Sequence, residues 1–149
     1  VRAYLEKHSA SDEPRRMRWA VQIAEALAFA HQCSVVHGDL NGFNVLLDRR
    51  LDAKLADFAG SSLEGLPLLI CVTASHERPG DVLCPEADIF ALGSTLYEIM
   101  AESRPHAGLS ETEIEQRYQR GKCLVRTAKG GGNNERHGKR CLSQHNEHT

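Results

Sequence analysis

The chain has 149 residues, 41% of them hydrophobic, and a formal net charge of −2 at pH 7. That length suits one domain with a core of its own, and the near-neutral charge gives no reason to expect nucleic acid or an anionic membrane as a partner. The five cysteines include no Cys-x-x-Cys pair, which argues against a disulfide framework or a zinc site and favours an intracellular protein, cytoplasmic or nuclear.

A first helix is predicted to start at Asp12, a good capping residue that Glu13 and Pro14 follow in the first turn. Side chains at helical spacing then form a narrow, alanine-rich face: Met17, Ala20, Ile23, Ala24, Leu27 and His31. We expect this face to pack closely against a neighbouring element, with His31 at its end.

Residues 37–44 read His-Gly-Asp-Leu-Asn-Gly-Phe-Asn and have no helical period. Gly38 and Gly42 allow the backbone torsions of a tight loop, which can point Asp39 and Asn44 into one cleft. A carboxylate there can accept a proton from a hydroxyl, and a carboxamide oxygen can bind a hard divalent cation.

A β-hairpin is predicted next, with strands at residues 45–47 and 53–56 and a polar turn between them. Because a hairpin brings its two ends together, Asn44 before the first strand and Asp57 after the second should be neighbours. Mg²⁺ is usually held by one or two carboxylates and by the phosphates of a substrate, so the pattern predicts phosphoryl transfer from a nucleotide. The alternative is that Asp39, Asn44 and Asp57 are turn residues without a joint role.

A second helix is predicted at about residues 87–101, after Pro85 and Glu86. Most of its surface is apolar, which is typical of a central, buried helix. Asp88 in its first turn can cap backbone N–H groups.

A third helix is predicted by a capping-box pattern, Ser-Glu-Thr-Glu at residues 110–113. It should run to about Arg120, with Ile114 and Tyr118 on one side. A partner-binding helix and a solvated surface helix are both compatible with this pattern.

Residues 122–149 carry a net charge of +4, against −6 for residues 1–121, and contain few large apolar groups. Such a segment cannot offset its ordering entropy by burial. It is predicted to be a disordered basic tail, and its lack of interleaved aromatic residues argues against nucleic-acid binding.

Taken together, these motifs resemble the C-terminal lobe of eukaryotic protein kinases over about residues 1–121. Residues 37–44 are similar to the catalytic loop H-R-D-L-x-x-x-N, and Asp-Phe-Ala at residues 57–59 is similar to D-F-G. Residues 74–77 stand in the place of A-P-E, and residues 88–93 resemble the D-x-W-x-x-G that opens the central helix. The resemblance implies a mainly α fold with a small β-hairpin, an α+β kinase-like C-terminal lobe.

The resemblance also implies a role for each matched residue. Asp39 would be the catalytic base, and Asn44 and Asp57 would bind Mg²⁺ and, through it, ATP. Leu46 would lie beneath the adenine ring. The other matched positions would be structural: His31 near the aspartate of the central helix, His37 and Phe58 in the apolar column that links the lobes, and Glu77 and Asp88 as anchors.

Several positions depart from the family pattern. Gly38 replaces an Arg that pairs with a phosphorylated activation loop, so an active site here should not depend on that switch. Asn41 replaces the Lys of Ser/Thr kinases, which removes a cation that stabilises transferred phosphate and leaves the choice between Ser/Thr and Tyr substrates open. Ala59 replaces a flexible Gly.

The sequence contains no G-x-G-x-x-G and no V-A-I-K strand lysine ahead of residue 37. We therefore expect the N-terminal lobe to be absent, with residues 1–121 forming a partial protein kinase domain and residues 122–149 a tail unrelated to the fold. Such a truncated domain should be nearly inactive alone.

The predicted function is ATP-dependent phosphorylation of protein hydroxyls, with Ser/Thr preferred. One alternative is a small-molecule phosphotransferase of the aminoglycoside or choline kinase type. Residues 37–44 match the H-G-D-x-x-x-x-N loop of those enzymes. A second is a non-catalytic pseudokinase that binds a partner. The sequence does not indicate the substrate, the pathway or the oligomeric state.

Overall fold

The computed structural model of the protein describes residues 1–8, 12–59, 61–63, 75–80 and 84–121. Its elements follow in the order α1 (Arg2–Lys7), α2 (Glu13–Gln32), β1 (Val35–Val36), β2 (Val45–Leu47), β3 (Ala53–Leu55), β4 (Ser62–Leu63), α3 (Pro85–Ala101) and α4 (Glu111–Gln119). Within these ranges, no helix is both long and apolar enough to cross a membrane. The predictions for the tail at 122–149 lie outside the described residues.

Helix α2 starts directly after Asp12, as predicted, but its buried face is shifted from the expected one. The buried side chains are Trp19, Ile23, Leu27 and Ala30. The prediction that Met17 packs on this face was wrong, because its side chain is 50% exposed. The indole N–H of Trp19 instead donates to the carbonyl oxygen of Leu51, at 2.7 Å, so the tryptophan covers the turn of the hairpin.

The predicted hairpin is confirmed as the antiparallel pair β2 and β3, with Val45 opposite Leu55 and Leu47 opposite Ala53. Val45 and Ala53 are buried against the helices. The core lies where the hairpin, α2 and α3 meet. Its buried residues are Val1, Trp19, Ile23, Leu27, Leu40, Val45, Ala53, Ala91 and Ile99.

A second small sheet was not predicted. Strands β1 and β4 pair antiparallel, with Val35 opposite Leu63 and Val36 opposite Ser62. Strands of two residues have no measurable period, and these two lie far apart in the sequence, so local pattern could not reveal them. The pairing holds the start of the 37–44 loop next to the segment that follows Asp57.

Helix α3 lies against α2, but the expectation that its apolar surface would be buried on most sides was wrong. Its buried positions include the polar side chains Asp88, Ser94, Thr95 and Glu98, whereas Ile89 is 56% exposed. The two buried carboxylates are paired: Asp88 accepts from the 37–44 loop, and Glu98 binds the guanidinium of Arg2.

Helix α4 confirms the capping-box prediction. The Ser110 hydroxyl accepts from the backbone N–H of Glu113, and the Glu113 carboxylate accepts from the backbone N–H of Ser110. Ile114 and Tyr118 are the buried residues of this helix. The Tyr118 hydroxyl donates to the carbonyl oxygen of Ser75, at 2.9 Å, which ties α4 to the 75–80 segment.

Candidate functional site

The 37–44 loop is anchored at its first residues by a buried carboxylate. The backbone N–H groups of His37 and Gly38 donate to Asp88, at 2.8 and 2.9 Å, and His31 Nε2 donates to the same side chain at 2.8 Å. Asp88 is 1% exposed, and three donors satisfy the charge that burial would otherwise penalise. Asp88 thus bonds the N–H groups of the loop rather than those of its own helix.

His37 connects the two halves of the site. Its Nδ1 accepts from the backbone N–H of Asp39, at 3.2 Å, so the ring hydrogen is assigned to Nε2, which donates to the carbonyl oxygen of Ala56 at 3.0 Å. The ring is fully buried and lies 4.7 Å from the ring of Phe58. One imidazole therefore connects Asp39 to the residue that precedes Asp57.

The Asp39 carboxylate is held by two carboxamides. Asn41 Nδ2 donates to Oδ1, at 3.0 Å, and Asn44 Nδ2 donates to Oδ2, at 2.8 Å. Asn44 Nδ2 also donates to the carbonyl oxygen of Asp39, at 2.7 Å. The adjacent Leu40 is fully buried, so the backbone beneath the carboxylate is also fixed.

Asn44 and Asp57 lie at the joined ends of the hairpin. The backbone N–H of Ala56 donates to the carbonyl oxygen of Asn44, at 2.9 Å, which brings the residue before Asp57 against Asn44. Asp57 is exposed and has a left-handed backbone with φ of 62°. A left-handed non-glycine residue costs on the order of 1–3 kcal/mol, and such residues cluster at functional sites.

The oxygens of this pair suit a hard cation. With Nδ2 of Asn44 bonded to Asp39, its Oδ1 accepts no hydrogen bond within the described part of the chain. Asp57 accepts one long bond, from the backbone N–H of Ala59 at 3.4 Å. A carboxylate and a carboxamide oxygen with free lone pairs are ligands that Mg²⁺ takes together with phosphate oxygens and water. These two side chains fit a magnesium–phosphate group.

Apolar side chains border the polar centre. Leu46 on β2 is 57% exposed, Phe58 is 43% exposed and Phe43 is 61% exposed. Exposed large apolar groups beside a polar cluster are typical of a ligand-binding edge.

Glu77 lies apart from this centre. It is exposed and lines an open cleft of about 170 Å³ between the 75–80 segment and α4, together with Arg78 and Tyr118. Among the described residues it has no ion-pair partner, so its role as an anchor stays a prediction.

Sequence reasoning missed a buried ion pair behind the loop. The Arg2 guanidinium binds both carboxylate oxygens of Glu98, and both side chains are almost fully buried. The backbone N–H of Arg2 also donates to the carbonyl oxygen of Gly42, at 3.0 Å. The signal in the sequence was Glu98 beside the apolar residues Leu96 and Ile99, because a carboxylate that is buried is nearly always paired.

The ion pair gives a different reason from the predicted one for the glycine at position 42. Gly38 has a positive φ of 78°, as a tight loop requires, whereas Gly42 does not. A Cβ at position 42 would lie 2.9 Å from Cδ of Glu98 and closer still to Oε1. Gly42 is therefore needed for close approach and not for its torsion angles.

His76 is a buried histidine whose pKa lies well below its usual value. Burial, and secondarily the positive charge of Arg2, lowers its pKa from 6.5 to about 4. Its Nδ1 bonds the Ser75 hydroxyl at 2.9 Å, and its Nε2 has no partner among the described residues. The imidazole is therefore neutral at pH 7.

Comparisons with known proteins agree on one family. The family model described as "Protein kinase domain" matches residues 1–144. Protein kinase C epsilon type from Oryctolagus cuniculus is 35% identical over 113 residues, which is 69% of this chain and 15% of that protein, and the Rattus norvegicus protein of the same name matches equally. Serine/threonine-protein kinase SIK1 from Rattus norvegicus is 32% identical over 126 residues, 79% of this chain and 16% of the relative.

Proposed function

The chain belongs to the protein kinase family, and on that premise we propose that the complete protein transfers the terminal phosphoryl group of ATP to hydroxyl groups of other proteins. The observation that carries the proposal is the geometry of the Asp39 carboxylate: Asn44 holds it at 2.8 Å, and the backbone carbonyl of Asn44 bonds Ala56, the residue before Asp57. The chain spans about 15% of the curated relatives it matches, so the activity is proposed for the complete protein.

Each polar residue would have a separate task. Asp39 would accept the proton of the attacking hydroxyl, a role worth about 10²- to 10⁴-fold in rate. Asn44 Oδ1 and the Asp57 carboxylate would hold Mg²⁺, which when bound neutralises phosphate charge as the phosphoryl group transfers. Asn44 would thereby keep the base and the metal at a fixed separation through its two side-chain atoms.

The surrounding residues would place the nucleotide and the loop. Leu46, exposed on β2, would contact the adenine ring from below. His37 and Phe58, in ring contact, would form part of an apolar column, and Asp88 with His31 would hold the loop in its active conformation. Glu77 would be a structural anchor.

We assign Ser and Thr as the preferred acceptors because one relative is named a serine/threonine-protein kinase. Gly38 stands where many family members carry an Arg that binds a phosphorylated activation loop. Asp88 accepts directly from the Gly38 N–H, at 2.9 Å, so the loop is held without such an Arg. Activity is therefore proposed to be independent of activation-loop phosphorylation.

The described residues among 1–121 are proposed to form a C-terminal lobe of the kinase type. The 149 residues contain no glycine-rich phosphate loop and no strand lysine. We propose that these residues by themselves bind ATP weakly and turn over little of it. An intracellular location, cytoplasmic or nuclear, is also proposed, because the two cysteines among the described residues, Cys33 and Cys84, form no disulfide.

The experiment that tests this function supplies the complete protein with γ-labelled ATP, Mg²⁺ and two classes of acceptor. One class is a set of Ser-, Thr- and Tyr-containing peptides, and the other is a set of small alcohols and aminoglycosides. Label on Ser and Thr hydroxyls is expected. Label on the small molecules alone would assign the protein to the other phosphotransferase class, and no transfer to any acceptor would overturn the proposal.

A further inference from the structure

Both polar atoms of the Asn41 carboxamide, Oδ1 and Nδ2, form hydrogen bonds within the loop. Asn41 is only 7% exposed. Its Oδ1 accepts from the backbone N–H groups of Phe43 and Asn44, at 2.9 and 3.4 Å. Its Nδ2 donates to the carbonyl oxygen of Asp39 at 3.2 Å and to the Asp39 carboxylate at 3.0 Å.

These partners permit one orientation of the carboxamide. A flip of the amide would place its NH₂ group against two N–H donors and its oxygen against two acceptors of Asp39. Both sets of contacts would then be repulsive. The loop backbone thus fixes Oδ1, and a fixed Oδ1 directs Nδ2 towards the carboxylate.

We propose that Asn41 is a positioning residue for the reaction, which holds the Asp39 carboxylate in the plane that receives the substrate proton. The proposal rests on the proposed function. Asn41 bonds Oδ1 and Asn44 bonds Oδ2, so a donor on each oxygen prevents rotation of the carboxylate. Both donors are neutral, so they orient the carboxylate without forming an ion pair.

This role differs from the one that a lysine at the same position would have. A lysine ammonium could contact transferred phosphate as a cation. The buried Asn41 carboxamide has no charge to offer, and its donors already bond Asp39. Loss of Asn41 should therefore lower the rate of the chemical step and leave the binding of ATP and of the protein substrate nearly unchanged.

The variant that separates these effects is Asn41→Ser. A serine hydroxyl can still accept from the Phe43 N–H and keep the turn, but it is too short to reach the Asp39 carboxylate. The matched control is Gln22→Ser, since Gln22 makes the comparable carboxamide–carboxylate bond to Asp52, at 2.8 Å, away from the site.

A first measurement does not depend on activity. In the ¹⁵N-labelled 149-residue chain, Asp39→Ala should shift the side-chain NH₂ resonances of Asn41 and speed their exchange with water, whereas Asp52→Ala should do so for Gln22 alone. If the chemical shifts and exchange rates of the Asn41 NH₂ group were unchanged in Asp39→Ala, the inference would be overturned, whatever the activity of the protein.

A second measurement follows phosphotransfer by the complete protein. Asn41→Ser should lower kcat about tenfold, or roughly 1.4 kcal/mol in barrier height, with the KM values for ATP and protein substrate changed less than about twofold. Gln22→Ser should leave kcat unchanged. A wild-type kcat in Asn41→Ser, or a loss seen only in KM, would overturn the inference and leave the proposed function intact.

Failure of the proposed function has a different signature. A wild-type protein without phosphotransfer, or one whose rate is unaffected by loss of the Asp39 carboxylate, would overturn the proposed function even if the NMR experiment shows the bond between Asn41 and Asp39. The positioning role would then be overturned as well, and the bond would be part of the loop structure only.

Discussion

The side-chain amide of Asn44 donates to both the carbonyl oxygen and the carboxylate of Asp39, at 2.7 and 2.8 Å. The two residues are five positions apart in the loop, and this contact closes the loop on itself. Because the nitrogen is bonded to Asp39, the oxygen of the same carboxamide has no hydrogen-bond partner among the described residues. One planar group would thus set the separation between the proposed proton acceptor and the proposed metal ligand.

If Asp57 binds Mg²⁺, a variant with a neutral side chain at position 57 should need a higher Mg²⁺ concentration. Asp57→Asn keeps the shape but removes the charge, so we expect the Mg²⁺ concentration for half-maximal phosphotransfer to rise tenfold or more. Asp12→Asn is the control, because Asp12 is exposed at the start of α2 and its side chain makes no capping hydrogen bond there. An unchanged Mg²⁺ requirement in Asp57→Asn would contradict the assignment.

Adding one methyl group at Gly42 should destabilise the fold. The new Cβ would overlap the buried Glu98 carboxylate, and such overpacking costs about 1–3 kcal/mol. At Gly93, which is exposed within α3 and has no atom near a built Cβ, Ala should stabilise by up to about 1 kcal/mol. Urea unfolding measures the free energy of unfolding of Gly42→Ala and Gly93→Ala. Equal changes in the same direction in the two variants would contradict this explanation.

The sequence predicted the elements that have a strong local signal. The capping box at Ser110 and Glu113, the start of α2 after Asp12 and the hairpin after Asn44 each depend on residues close together in the chain, and each was found. Local chemistry determines such elements with little help from the rest of the fold.

What the sequence did not predict depends on contacts between distant residues. The ion pair between Arg2 and Glu98 joins positions 96 apart, and no local period reveals it. The exposure of Met17 and Ile89 follows from which neighbour each helix meets, a tertiary fact. The two bonds of Asn41 to Asp39 were also missed, because side-chain orientation within a loop cannot be read from residue types.

The stability of the protein should fall in acid because of His76. The unfolded chain binds a proton at this histidine below pH 6.5, whereas the folded protein does so only below about pH 4. The unfolded state therefore binds more protons between these values, and stability falls with decreasing pH, by about 3 kcal/mol in total.

The measurement is the free energy of unfolding at a series of pH values from 7 to 4. His76→Phe should remove most of this slope. Ser75→Ala, which deletes the hydroxyl that bonds the ring but keeps the titrating group, should retain it. The same slope in wild type and His76→Phe would show that another group is responsible.

The 149 residues alone should bind ATP poorly, because they contain no glycine-rich loop or strand lysine to contact its phosphates. Isothermal titration with ATP and Mg²⁺ should give a Kd weaker than about 100 μM. Micromolar affinity would show that residues 1–149 form a complete nucleotide site.

The most direct test of the central claim is the phosphotransfer rate of the complete protein with Asp39 replaced by Asn. The substitution keeps the shape of the side chain and removes its ability to accept the hydroxyl proton. We predict that kcat falls about 10²- to 10⁴-fold while the unfolding midpoint changes little. A variant with a kcat close to that of the wild type would contradict the claim that this carboxylate is the base.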